Sequence, residues 1–229
     1  MSIMEHLEAL RRMLIVCAAA WLLTTLIGLF FAGRAFNALV QRSGIPSGHV
    51  VYLDLTGGVI LDIKVALYIG IIVAAPVIIQ QLWWFISPGL HLHERRVAMP
   101  MVIATIIFFY LGTAFALYSL PLFVKVLTSL APSDAQYLAG GSELLGFIMV
   151  MVLAFGIVFE LPVVLYSLGR LGLISSKWLY KNRFYWVIGL GLLANVLTPG
   201  VDPVTPLILF VPLWVFWEGT ALLLKLSGH

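Results

Sequence analysis

Long apolar runs separated by short polar gaps set the pattern of this chain. Four runs have membrane-crossing length, about Leu14–Gly33, Val65–Ile86, Val97–Leu120 and Leu144–Leu168, and two more lie near the end, about Phe184–Leu197 and Val204–Leu224. A helix needs roughly 20 apolar residues to cross the hydrocarbon core. The gaps carry Gly, Pro, Ser or charge, as connecting turns do. The pattern predicts an all-α membrane protein, one polytopic domain over residues 1–229 with six transmembrane helices. The last two helices are expected to be short. Phe184–Leu197 reaches only about 21 Å at roughly 1.5 Å per residue, and the sixth run is free of charge only from Val204 to Trp217, before Glu218. Two adjacent short helices imply local thinning of the bilayer.

Composition supports this reading. The chain is 62% hydrophobic and only 10% charged, where a soluble domain carries about 25% charged residues. Lipid must therefore cover most of its surface. Glu5, Glu8, Arg11 and Arg12 precede the first run and no small-residue cleavage site follows it, so that run is expected to stay as a helix. Cys17 is the single cysteine, which excludes an internal disulfide. With the N-terminus in the cytoplasm, nine of the 13 Lys and Arg fall on the cytoplasmic side, which places both termini there. The basic pI of about 9.1 reflects this loop bias and does not point to nucleic acid.

Two places carry chemistry that membrane spanning does not require. The first is Trp83-Trp84-Phe85-Ile86-Ser87-Pro88-Gly89-Leu90-His91-Leu92-His93-Glu94-Arg95-Arg96, between two apolar runs. Pro88-Gly89 stops a helix, and a carboxylate with two guanidinium groups then meets aromatic rings at the membrane edge. Glu8, ahead of Arg11 and Arg12, offers a second acid on the same side. Two acids at two membrane-edge segments suit a cationic ligand held by charge-assisted hydrogen bonds. The second place is Glu160, an acid inside the fourth run followed by Pro162. Such an acid costs roughly 2–3 kcal/mol or more unless it faces protein or water, and the proline frees a backbone carbonyl and kinks the helix. Together they imply a polar dent on one face of the bundle. A secondary transporter of an ion or small solute using Glu160 is the alternative reading, though no matched inverted repeats support it. An intramembrane enzyme fits poorly, because all five histidines fall in loops or tails and no Gly-x-Ser-x-Gly elbow occurs. Metal binding through His91 and His93 is a weak reading, and no metal or other cofactor is expected. No Gly-rich phosphate loop occurs either.

These residues resemble the TatC family, the multi-spanning core of the twin-arginine protein translocase. The resemblance rests on His6-Leu7-Glu8-Ala9-Leu10-Arg11, on Phe85…Pro88-Gly89-Leu90…Glu94-Arg95-Arg96, on Phe155-Gly156…Phe159-Glu160-Leu161-Pro162 and on Thr198-Pro199…Asp202-Pro203. It implies a signal-peptide receptor, not an enzyme, that binds paired-arginine signal peptides of folded cargo for export driven by the proton-motive force. It implies a multi-pass protein of the cell inner membrane that works with TatA- and TatB-like single-span subunits, as a homo-oligomer within the complex. The implied binding residues are Glu94, Phe85, Glu8, Arg11, Pro88, Leu90 and Arg95. Glu160 becomes the acid of the membrane dent, with the apolar part of the signal peptide beside it, and Pro199 and Asp202 shape the last turn. The chain departs from the family pattern at Ala9, where an acid is usual, and at Met13, where a basic residue is common. It departs again at Pro206 and at Gly57-Gly58.

Overall fold

The computed structural model describes residues 3–45, 50–51, 55–86, 95–129, 139–198 and 204–228. Its helices are α1 (Ile3–Leu29), α2 (Ala32–Ser43), α3 (Gly57–Ile86), α4 (Arg95–Ser129), α5 (Gly141–Val158), α6 (Leu161–Arg170), α7 (Ser176–Lys181), α8 (Arg183–Leu197) and α9 (Val204–Leu226). Two short strands, β1 (Val50–Val51) and β2 (Ala139–Gly140), pair in parallel, Val50 opposite Ala139 and Val51 opposite Gly140.

Among the described residues, five helical stretches are long and apolar enough to cross a membrane: Met4–Leu29, Gly57–Phe85, Met99–Ser129, Gly141–Arg170 and Thr205–Leu226. The shorter α8 is the sixth apolar helix. It has 15 residues, about 22 Å, and is short as expected. The last helix is not. With 23 residues, α9 runs through Glu218 to Leu226, about 34 Å. The acid does not end it, because the Arg183 guanidinium of α8 lies 3.3 Å from the Glu218 carboxylate. The helices also outrun the apolar runs. Thus α1 begins in the charged segment Glu5–Arg12, α3 takes in Asp62 and Lys64, and α4 continues to Ser129. Backbone hydrogen bonding carries a helix on into the headgroup layer, where polar side chains remain wet.

The described chain forms two compact units. The first contains α1, α2 to Gln41, β1, α3, α4 to Ile106, β2 and α5 to Leu145. Its centre is the α1–α3 pair, drawn together by small residues. The Gly28 backbone lies against the Ala66 carbonyl, where an added Cβ would sit 3.1 Å away. A Cβ on Gly70 would run into Thr25. That closeness lets Thr24 Oγ1 reach the Gly70 carbonyl at 2.7 Å, and Trp21 Nε1 donates to the Leu67 carbonyl at 2.9 Å. Leu14, Leu22, Leu23, Leu26 and Ile27 of α1 face outward and are suited to lipid.

The second unit contains Arg42 to Ile45, α4 from Ile107, α5 from Gly146, and α6 to α9. Phe115, Phe123, Phe155 and Phe159 interlock with ring centroids 5.4–6.4 Å apart, and Phe159 meets Phe216 edge-on at 4.6 Å. A Cβ on Gly112 would overlap the Phe155 carbonyl, and one on Gly156 would press the Phe109 ring, so a glycine on each of α4 and α5 sets their approach. Pro121 has no N–H to offer the Leu117 carbonyl within α4. Arg42 Nε donates to that carbonyl instead, at 3.3 Å, with its guanidinium 5.9 Å from the Tyr118 ring centre. Helix α6 closes on Gly172 at φ +71°, with Gly172 N–H bonded to the Gly169 carbonyl and Leu173 N–H to that of Leu168. This is the hydrogen-bond pair of a left-handed helix cap.

Candidate functional site: a cleft between the ends of α1 and α3

The α1–α3 pair opens at the N-terminal end of α1 into a cleft of about 430 Å³. From α1 it is lined by Glu5, Glu8, Ala9, Arg12, Met13 and Val16, and from α3 by Gln81, Trp84 and Phe85. The α1 residues recur at i, i+3, i+4, i+7, i+8 and i+11, a single helical face. The Phe85 ring is held by His6, with centroids 4.5 Å apart and planes tilted by 31°. Below the cleft, Trp83 Nε1 donates to Thr105 Oγ1 at 3.2 Å, anchoring α3 to the start of α4. Two carboxylates, one guanidinium, an amide and two aromatic faces therefore meet in one opening. They offer net negative charge, hydrogen-bond acceptors and flat apolar surfaces. A guanidinium matches that set, since it takes planar bidentate contacts from carboxylates and stacks on rings.

The sequence-derived site residues fare differently. Phe85 and Glu8 both line the cleft. Arg11 is exposed and is not among the described lining residues; Arg12 occupies the cleft instead. At about 100° per residue, Arg11 lies roughly 60° beyond Glu8, outside the lining face. Arg95 opens α4, and only its backbone is described. Glu94, Pro88 and Leu90 lie outside the described residues, as do His91, His93, Pro199 and Asp202. Glu5, Arg12, Gln81 and Trp84 were not among the expected binding residues, although Glu5, Arg12 and Trp84 belong to the charged and aromatic segments singled out. Helical periodicity from Glu8 points to Glu5 and Arg12, and from Phe85 to Gln81, so the signal was present in the sequence. Ala9 and Met13, where the opening motif departs from the family pattern, both face the cleft.

Glu160 lies in the second unit. The fourth span breaks beside it, since α5 ends at Val158 and α6 begins at Leu161. Pro162 has no N–H for the Val158 carbonyl, which forces the interruption. Glu160 N–H turns back to the Ile157 carbonyl at 3.0 Å, and its own carbonyl accepts from Val164 N–H at 2.9 Å. Both carboxylate oxygens are buried. The helix is thus interrupted where Pro162 was expected to act, with the acid at the break.

Membrane-length helices, a span broken at a buried acid and an acidic, aromatic cleft at the helix ends define a polytopic membrane protein. Comparison with known proteins is specific. The TatC family model, described as Sec-independent protein translocase protein, matches residues 5–212. A Sec-independent protein translocase protein TatC from Carboxydothermus hydrogenoformans is 32% identical over 226 residues, covering 98% of this chain and 93% of that protein. The one from Aquifex aeolicus is 34% identical over 233 residues, covering 99% and 96%. A crystal structure described as twin arginine translocase receptor TatC superposes with a TM-score of 0.83 at 33% identity, over 98% of this chain and all of that one. The chain belongs to the TatC family. It is a multi-pass inner-membrane protein of a transport family that is not enzymatic. Nothing in these matches favours a solute transporter.

Proposed function

We infer that this chain is the signal-peptide receptor and core subunit of a twin-arginine translocase. The α1–α3 cleft receives the paired arginines of a signal peptide on folded cargo. Glu8 and Glu5 accept from the guanidinium groups and Phe85 packs against one of them or against the peptide. Glu94, in the segment that follows α3, supplies a further carboxylate. The observation that carries this reading is the convergence of two acids and an aromatic pair in one cleft, in a chain whose structural relative is described as a twin arginine translocase receptor. The chain acts with TatA- and TatB-like subunits, and transport draws on the proton-motive force.

Equilibrium binding of a labelled twin-arginine signal peptide to the purified protein tests this. A twin-lysine peptide keeps the charge and loses the fork, so it binds about tenfold more weakly. Glu8→Gln weakens the arginine peptide more than the lysine one, and affinity falls as salt is raised, because the cleft is open to screening. Equal affinity for the two peptides, or wild-type affinity in Glu8→Gln, overturns the assignment.

A further inference from the structure

A second cleft lies where the C-terminal end of α9 meets α7. Its volume is about 740 Å³, and Ser175, Ser176, Lys177, Tyr180, Lys225 and Gly228 line it. That size lies within the roughly 300–1,000 Å³ usual for small-ligand sites. Lys177 and Lys225 bring two ammonium groups to it, and among the described lining residues none carries a carboxylate. Neither lysine joins an ion pair among the described residues. Glu218, on the same helix as Lys225, is engaged elsewhere: Arg183 lies 3.3 Å away, and the Tyr180 hydroxyl donates to it. Arg183 in turn sits over the Trp214 ring, 5.0 Å from its centre. The described lining residues therefore carry net positive charge.

The walls are firmly built. Leu179 of α7 and Leu224 of α9 are fully buried, and Leu224 packs onto Gly169 of α6 so closely that a Cβ there would overlap it. Ser175 caps α7 by accepting from Trp178 N–H at 3.2 Å, which leaves its own hydroxyl proton to donate. Trp178, Phe184 and Tyr185 stand exposed on the adjoining elements. Exposed aromatics of this kind mark the headgroup layer. Basic pockets between helices at that level hold phosphate headgroups.

We propose that this cleft binds a phosphate-bearing anion, with Lys177 and Lys225 on its oxygens and the Ser175 hydroxyl donating to it. Two sources carry that chemistry, the headgroup of an anionic phospholipid and free phosphate in solution. Native mass spectrometry separates them, on the intact chain released from nanodiscs holding equal phosphatidylglycerol and phosphatidylcholine. The wild type retains phosphatidylglycerol preferentially. Lys177→Gln and Lys225→Gln each weaken that retention about fivefold, and Lys125→Gln, remote in the sequence, leaves it unchanged. In the second arm, thermal stability is read in phosphatidylcholine nanodiscs with and without inorganic phosphate. Phosphate protection that vanishes in the Lys177→Gln/Lys225→Gln chain, without a lipid preference, keeps the site and assigns its ligand to solution. Wild-type lipid preference in that double variant, or neither lipid preference nor phosphate protection in the wild type, overturns the proposal. The single variants guard against misfolding of the double one. None of these residues lines the α1–α3 cleft, so peptide binding and this site fail independently.

Discussion

Replacing Gly70 by alanine tests how the receptor cleft is built. The new Cβ would lie 2.9 Å from Thr25 N and 3.0 Å from Thr25 Cα as well as overlapping its hydroxyl. Two of those three neighbours are backbone, so no rotamer change relieves the contact and α1 must move away from α3. Overpacking of this kind costs about 1–3 kcal/mol. Parting the helices also stretches the bonds from Thr24 to the Gly70 carbonyl and from Trp21 to the Leu67 carbonyl, each worth roughly 0.6 kcal/mol between membrane helices. Alanine returns about 1 kcal/mol through its better helix propensity. The net expectation is a loss of about 1–3 kcal/mol, or roughly 3–10 °C in melting temperature for a chain of this size. The same substitution at Gly189 or Gly191 in α8, where an added Cβ meets nothing within 4 Å, leaves the melting temperature unchanged or raises it. The assay is thermal melting of the purified protein followed by tryptophan fluorescence, with signal-peptide binding measured on the same samples. Gly70→Ala should also weaken peptide binding, because α1 and α3 carry the two sides of the cleft. A Gly70→Ala protein that melts with the wild type, or shifts no differently from Gly189→Ala, would refute the close-packing argument.

Two further outcomes follow from the second unit. Arg42→Gln should destabilise the wild type by about 1 kcal/mol, because the Leu117 carbonyl loses its donor. In a Pro121→Ala background, where α4 regains its own N–H, the same change should cost nothing, which a double-mutant cycle of melting temperatures reads directly. Tyr180's phenol pKa is raised above the usual tyrosine value by burial, then by the charge and hydrogen bond of Glu218, with Arg183 partly opposing. A group raised in the folded state stabilises fully below its unfolded value and loses that contribution as pH climbs through the folded one. Melting temperature should therefore fall as pH rises past about 10, and Tyr180→Phe should flatten that part of the profile.

The helical class was legible because length alone identifies a span: five of the six apolar runs coincide with stretches of membrane length. Element ends were less so. Apolar runs mark where lipid begins, whereas hydrogen bonding carries α1, α3 and α4 further into polar sequence. The six-residue α7 and the two-residue strands have too few positions for any period to show. The end of α9 falls within two residues of the expected Leu224; the expectation of a short helix fails because it takes Glu218 as the limit of the apolar length, whereas Arg183 lies beside that acid. In the cleft, Glu8 stood out as an acid at a membrane edge, and Phe85 through the family resemblance. Glu5, Arg12, Gln81 and Trp84 emerge only when α1 and α3 are laid together, since the site is a property of two facing helix stripes and not of either motif. Glu160 and Pro162 were readable together, because an acid in an apolar run followed by a proline carries its own physical consequence.

The central claim is that the α1–α3 cleft receives paired arginines, and a photoreactive amino acid at Phe85 tests it most directly. The probe should crosslink a labelled twin-arginine signal peptide within its arginine region, with the yield falling sharply for the twin-lysine peptide and for the probe placed in a Glu8→Gln chain. Crosslinks of equal yield to both peptides, or none from a folded protein, would contradict the account.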